Sequence, residues 1–131
     1  SIPLWVGGSS PGAVKRTALR GDGWHPTGVS AEDYALTKAE INETAAAAGR
    51  DPSQFAWSTR LEVEVHGRPS SERASSRSTI PGDNPAMMVA GIKAYQDAGV
   101  DHMVLALNSG DVSALKRLME TIANEVLPEF R

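Results

Sequence analysis

Strand-like and helix-like segments alternate four times along this chain, and three of the helices give way to the next strand through a glycine: Arg20-Gly21, Ala48-Gly49 and Ala98-Gly99. Alternation at this spacing demands parallel strands joined by helical crossovers, because a strand returning in the same direction needs a connection long enough to recross the sheet. Two architectures satisfy it, an open doubly wound sheet or part of a (β/α)8 barrel. A full barrel takes about 250 residues. This chain has 131 residues, room for four of the eight units.

The segments are readable one by one. Pro3 to Val6 is a short apolar run, expected as a strand buried on both faces. Ser10-Pro11 has the grammar of a capped helix start, and that helix runs to about Arg20. A short strand is expected at Gly23-Trp24-His25, then a helix opened by Ser30-Ala31-Glu32-Asp33 with Tyr34, Ile41, Ala45 and Ala48 on one face. Phe55, Trp57, Thr59, Leu61, Val63 and Val65 alternate with Ala56, Ser58, Arg60, Glu62, Glu64 and His66, which predicts a long strand with two distinct faces. Residues 67–83, rich in Ser and Arg with Ile80 their one large apolar residue, are expected as an exposed, mobile loop. Asn84-Pro85 opens a third helix with Val89, Ile92 and Tyr95 or Gln96 inward, and Met87-Met88 reads as core filling. Val100 to Leu107 reads as the fourth strand. The last helix, about Val112 to Val126, carries an apolar stripe of Val112, Leu115, Leu118, Met119, Ile122 and Val126.

Chemistry concentrates in Gly7-Gly8-Ser9-Ser10-Pro11-Gly12, where a strand turns into a helix. Unpaired N–H groups and the positive end of the helix dipole point outward at such a place and attract phosphate. Adjacent glycines admit an anion close to the backbone, hydroxyls add donors, and Lys15, Arg16 and Arg20 add positive charge on the same helix. The spacing G-G-x-x-x-G matches neither the dinucleotide fingerprint nor the P-loop. A well-capped tight turn with no ligand explains the same residues. Trp24 and His25, at a strand's C-terminal end, and Arg60, on the polar face of the long strand, are possible pocket residues. A core Trp, a capping His and an Arg60–Glu62 lattice are the structural alternatives. His66 and the Ser/Arg loop read as a lid or, more simply, as solvated chain. His102 reads as structural because it opens its strand, away from the end where barrel sites collect.

Charge and composition narrow the classes. Thirteen Lys and Arg against sixteen Asp and Glu leave a net charge of −3, which argues against a nucleic-acid surface. With no cysteine there is no thiolate chemistry or disulfide, and a cytoplasmic location is the expectation. No apolar run reaches the ~18 residues of a membrane span, so no membrane partner is expected. Three scattered histidines suggest no metal site.

Read together, P-L-W-V-G-G-S-S-P-G-A-V-K-R-T-A, G-D-G-W-H-P, A-A-A-G-R-D-P at 46–52, I-P-G-D-N-P at 80–85, Y-Q-D-A-G-V-D-H-M-V-L at 95–105 and V-L-P at 126–128 resemble the luciferase-like monooxygenase family, the bacterial-luciferase superfamily. The resemblance runs over the whole chain, 1–131, and corresponds to the C-terminal half of that family's domain. It implies an α/β fold, the (β/α)4 half of a (β/α)8 barrel. It implies a flavin- or deazaflavin-dependent oxidoreductase or monooxygenase, with FMN or the 8-hydroxy-5-deazaflavin coenzyme F420. It places Gly8, Ser9, Ser10 and Gly12 at the cofactor phosphate, with Gly7 as the close-approach glycine, and leaves the catalytic residues unassigned. The apolar start of the third helix, Asn84 to Gly91, departs from the family's acidic pattern. A half-barrel leaves two strand edges unpaired. The expectation is therefore a homodimer, or pairing with a missing N-terminal half, and the start at Ser1 with a strand by Ile2 fits a cut through a barrel. A non-catalytic half-barrel, structural or phosphate-binding only, and another phosphate-handling α/β enzyme are the competing readings.

Overall fold

The structure, a computed structural model, describes residues 1–65 and 78–131. Among them, strands β1 (Trp5–Gly7), β2 (Gly23–His25), β3 (Ala56–Glu64), β4 (Thr79–Pro81) and β5 (His102–Leu107) are joined by helices α1 (Pro11–Arg20), α2 (Ala31–Ala47), α3 (Pro85–Asp97) and α4 (Val112–Thr121). A π-helical turn, Ile122–Val126, and a 3-10 turn, Leu127–Phe130, extend α4. Each helix starts on the cap its sequence offers. The side chains of Ser10, Ser30, Asn84 and Asp111 accept from the N–H of Ala13, Asp33, Met87 and Ala114.

All strand pairs are parallel, as the alternation requires. Trp24 stands opposite Trp57, and β1 extends the sheet through Val6 opposite Trp24. On β3, Glu62 and Val63 pair with both β4 and β5, so those two strands lie on opposite edges. β4 continues the edge that β2 occupies further back.

The sheet has two unlike faces. Toward the helices point Trp24, Trp57, Thr59, Leu61 and Val63, all buried, with Tyr34, Ile41 and Met88 packed over them. Their buried hydroxyls are satisfied: Tyr34 donates to Ser58 O at 3.1 Å, Tyr95 to Val29 O at 2.7 Å and Thr59 to Pro26 O at 3.1 Å. Toward the other side point Trp5, Gly7, His25, Ser58, Arg60, Glu62, His102 and Val104, as the registers require. That face is open, with Trp5 44% and Val104 40% exposed.

Several expectations are corrected. The run Pro3–Val6 is not a strand buried on both faces: β1 begins at Trp5, and Ile2 and Leu4 are 85% and 64% exposed. β1 is an edge strand whose only inward side chain, Val6, packs toward Gly21. The expected loop is not loop throughout. Residues 67–77, and His66, lie outside the described residues, but Thr79–Pro81 is β4, and Ile80 is buried where Gly91 of α3 comes close. Val112, Met119 and Met87 are exposed rather than core. The rest of the expected stripe on the last helical segment holds: Leu118, Ile122 and Val126 are buried, Leu115 packs against the core, and Ala114 joins them.

Candidate functional site

β1 ends at Gly7, and the chain must reverse over the top of the sheet before α1 begins at Pro11. Gly8 makes that reversal at φ +87°, a left-handed conformation that glycine adopts at no steric cost. Its carbonyl is held from below, where Trp24 Nε1 donates to Gly8 O at 2.8 Å. Ser10 then adopts the extended cap conformation, its hydroxyl 3.3 Å from Ala13 N and its carbonyl accepting from Val14 N at 3.0 Å. Residues Gly7 to Gly12 are all exposed. The N-terminus of α1 therefore opens to solvent through Gly8, Ser9, Ser10 and Gly12, backed by the positive end of a ten-residue helix. Arg16 adds a cation: a Cβ on Gly12 would stand 3.3 Å from its Nη1. Beside the turn a depression of about 390 Å³ is lined by Ser9, Gly28, Val29, Asp33, Leu36 and Thr37.

Trp24 and His25 are neighbours in sequence and opposites in place. Trp24 is fully buried on the helix side, its ring 4.7 Å from that of Tyr34. It acts on the turn through Gly8 rather than lining the open face. His25 points to the open face, where its Nδ1 lies 2.8 Å from Ser58 Oγ. Trp5 stacks beside it, with centroids 6.4 Å apart, and meets the edge of His102 at 5.7 Å. Burial, first, and then the neighbouring His102 and Arg60 hold the His25 pKa below its ordinary 6.5, which favours the uncharged ring. Arg60 pairs with Glu62 at 2.7 Å, and Asn108 donates to the other Glu62 oxygen at 3.2 Å. Arg60 thus faces the open side already neutralised by its neighbour.

The structure brings Trp5, His25, Ser58 and His102 together, a grouping that sequence reading missed. Trp5 was lost in an apolar run and His102 in its position at a strand start. The parity signal was present, since His102 and Val104 alternate with Met103 and Leu105. Only the register of Ser58 opposite His102 gives it meaning. Among the described residues no three His, Asp or Glu side chains gather to hold a metal ion. No described helix is long and apolar enough to cross a membrane.

The profile of the family described as luciferase-like monooxygenase matches residues 1–103. Among solved structures, an F420-dependent secondary alcohol dehydrogenase in complex with an F420-acetone adduct superposes with a TM-score of 0.80 at 17% identity, covering 100% of this chain and 49% of its own. The coenzyme F420-dependent tetrahydromethanopterin reductase of Methanopyrus kandleri gives a TM-score of 0.69 at 16% identity, over 99% of this chain and 51% of its own. A riboflavin lyase with modified FMN and riboflavin gives 0.67 at 12% identity, over 100% and 43%. The chain spans about half the length of these structures. No curated protein matches it in sequence.

Proposed function

Because the chain belongs to the luciferase-like monooxygenase family, we propose that it carries the cofactor-phosphate seat of a flavin- or deazaflavin-dependent oxidoreductase, taking FMN or coenzyme F420. One observation carries this reading. The turn at the N-terminus of α1 is exposed, and its left-handed Gly8 is fixed from the core by Trp24. A phosphate fits such a turn, since Gly7, Gly8 and Gly12 place no side chain over the backbone N–H groups. Gly8, Ser9, Ser10 and Gly12 would hold it, with Gly7 allowing close approach and Arg16 adding charge. When bound, the group supplies two-electron chemistry that amino-acid side chains lack. This chain's part is to anchor and orient it at the C-terminal end of β1, the side on which parallel barrels build their sites.

Closure of the open face calls for four further strand–helix units, from a second copy of the chain or from a separate half-barrel. Light scattering tests the first source: a dimer indicates the copy, and a stable monomer counts against it.

The seat is tested by titrating FMN and F420 against Ser9→Ala plus Ser10→Ala and against Ser10→Asp, followed by fluorescence. Asp caps a helix as well as Ser does. Ser10→Asp should therefore keep the fold while its charge repels the phosphate, costing about tenfold in affinity or more. Unchanged affinity in both variants overturns the seat.

A further inference from the structure

If the Gly8–Gly12 turn holds a phosphate, as proposed above, the rest of the ligand has two ways to run: into the depression between Ser9 and Thr37, or over the open face of the sheet. The second follows the C-terminal ends of β1 and β2, the side on which parallel barrels build their sites, while the helix side of these strands is packed solid around Trp24, Trp57 and Leu61. Gly7 presents no side chain on the open face. Its register partner on the next strand is His25, one inter-strand spacing of about 4.8 Å away. Along the open face His25 is therefore the side chain across from the turn on the next strand.

That ring is preset. Ser58 Oγ engages Nδ1 at 2.8 Å, and Ser58 is itself fully buried. Trp5 stacks on one side, its own ring edge-on to His102. The remaining ring nitrogen, Nε2, has no partner among the described residues. We infer that His25 Nε2 is the hydrogen-bonding contact for the hydroxylated chain that joins phosphate to ring in a ribityl-phosphate ligand such as FMN. A hydroxyl suits either tautomer, since it donates to a bare nitrogen and accepts from an N–H. The surroundings agree with a neutral contact. Burial, and then His102 and Arg60, disfavour protonation of His25, while Glu62 is held by Arg60 and Asn108.

Proton–nitrogen correlation spectra of this chain read the two ends of the ligand separately. Inorganic phosphate is expected to shift the amides of Gly8, Ser9 and Gly12 and to leave the His25 imidazole unmoved. FMN is expected to shift both. His25→Ala should lower FMN affinity about 3- to 10-fold, the worth of one neutral hydrogen bond, with phosphate affinity unchanged. His25→Gln, which returns an amide near the place of Nε2, should restore most of the loss. If FMN shifts the turn amides but not His25, or if His25→Ala binds FMN as well as the parent does, the inference is overturned and the phosphate seat stands. If neither probe shifts the turn amides, the seat is wrong and the inference falls with it. The shift measurement on the unsubstituted chain decides the matter even where a variant folds poorly.

Discussion

Trp24 shows how much one side chain decides here. Its ring is fully buried against Tyr34, yet its Nε1–H reaches the carbonyl of Gly8 and so ties the core to the exposed turn. Trp24→Phe keeps an aromatic ring but deletes that donor and leaves part of the ring's volume empty. It should cost about 1–3 kcal/mol of stability by urea denaturation. FMN affinity should fall with it, because the turn loses its tie. A variant that loses stability while binding FMN unchanged would separate the two roles. The neighbouring His25 makes a pH prediction. Its folded pKa lies below the 6.5 of the unfolded chain, through burial and then His102 and Arg60. The unfolded state thus binds more protons as the pH falls through about 6.5, and stability drops as the pH descends through that value toward the folded pKa. More than about one unit above 6.5, where the ring is deprotonated in both states, His25 contributes no slope. His25→Gln should flatten the curve in that window, as read from thermal midpoints between pH 7 and pH 5.

At the scale of elements, helix ends are closed by cations from elsewhere in the chain. Arg50 donates to Ala18 O at 2.8 Å, Thr17 O at 3.3 Å and Gly21 O at 2.7 Å, while its guanidinium lies 4.7 Å over the Phe55 ring. It meets the negative end of α1 with several donors at once. Lys38 plays the same part for α3, donating to Gly99 O at 2.9 Å with Trp57 beneath it. Arg50→Ala should cost about 2 kcal/mol, since hydrogen bonds from a charged group are the stronger kind. Arg50→Lys should recover little, because one ammonium cannot span these carbonyls. Equal chemical-denaturation midpoints for parent and Arg50→Ala would refute this capping role. The elements themselves were largely legible in the sequence. Ser10-Pro11, Ser30 and Asn84-Pro85 announce helix starts through local chemistry alone, and the alternation from Phe55 to Val65 fixes β3. β4 was not legible, because a three-residue strand has too little periodicity of its own and exists through pairing with Glu62, Val63 and Glu64. The place of Trp5 was illegible for a related reason. An apolar run records that burial is available but not which side of the sheet the helices take. The phosphate turn could be read as a turn, whereas Ser58 beneath His25 needed the register.

For the whole molecule, the question is how a sheet with one covered face holds together. β3 is its centre. It pairs with β2, β4 and β5 and carries Thr59, Leu61 and Val63, each with no exposed surface. Native-state hydrogen exchange should therefore find its slowest amides in Thr59–Val63 and much faster ones in β1, an edge strand with exposed flanks. Core truncation sharpens the same point. Leu61→Ala empties a site walled by the helix side and should cost about 3 kcal/mol or more, a large share of the ~5–15 kcal/mol of a typical domain. Val104, on β5 opposite Arg60, belongs to the open face and is 40% exposed. Val104→Ala should cost less than about 1 kcal/mol, since surface substitutions rarely cost more. Paired urea titrations of the two variants read the architecture directly. A large loss at Leu61 with a small one at Val104 is the expected result. Comparable losses at both positions, growing with protein concentration, would mean that a second half-barrel covers the open face in solution, because only an added partner makes Val104 a core residue.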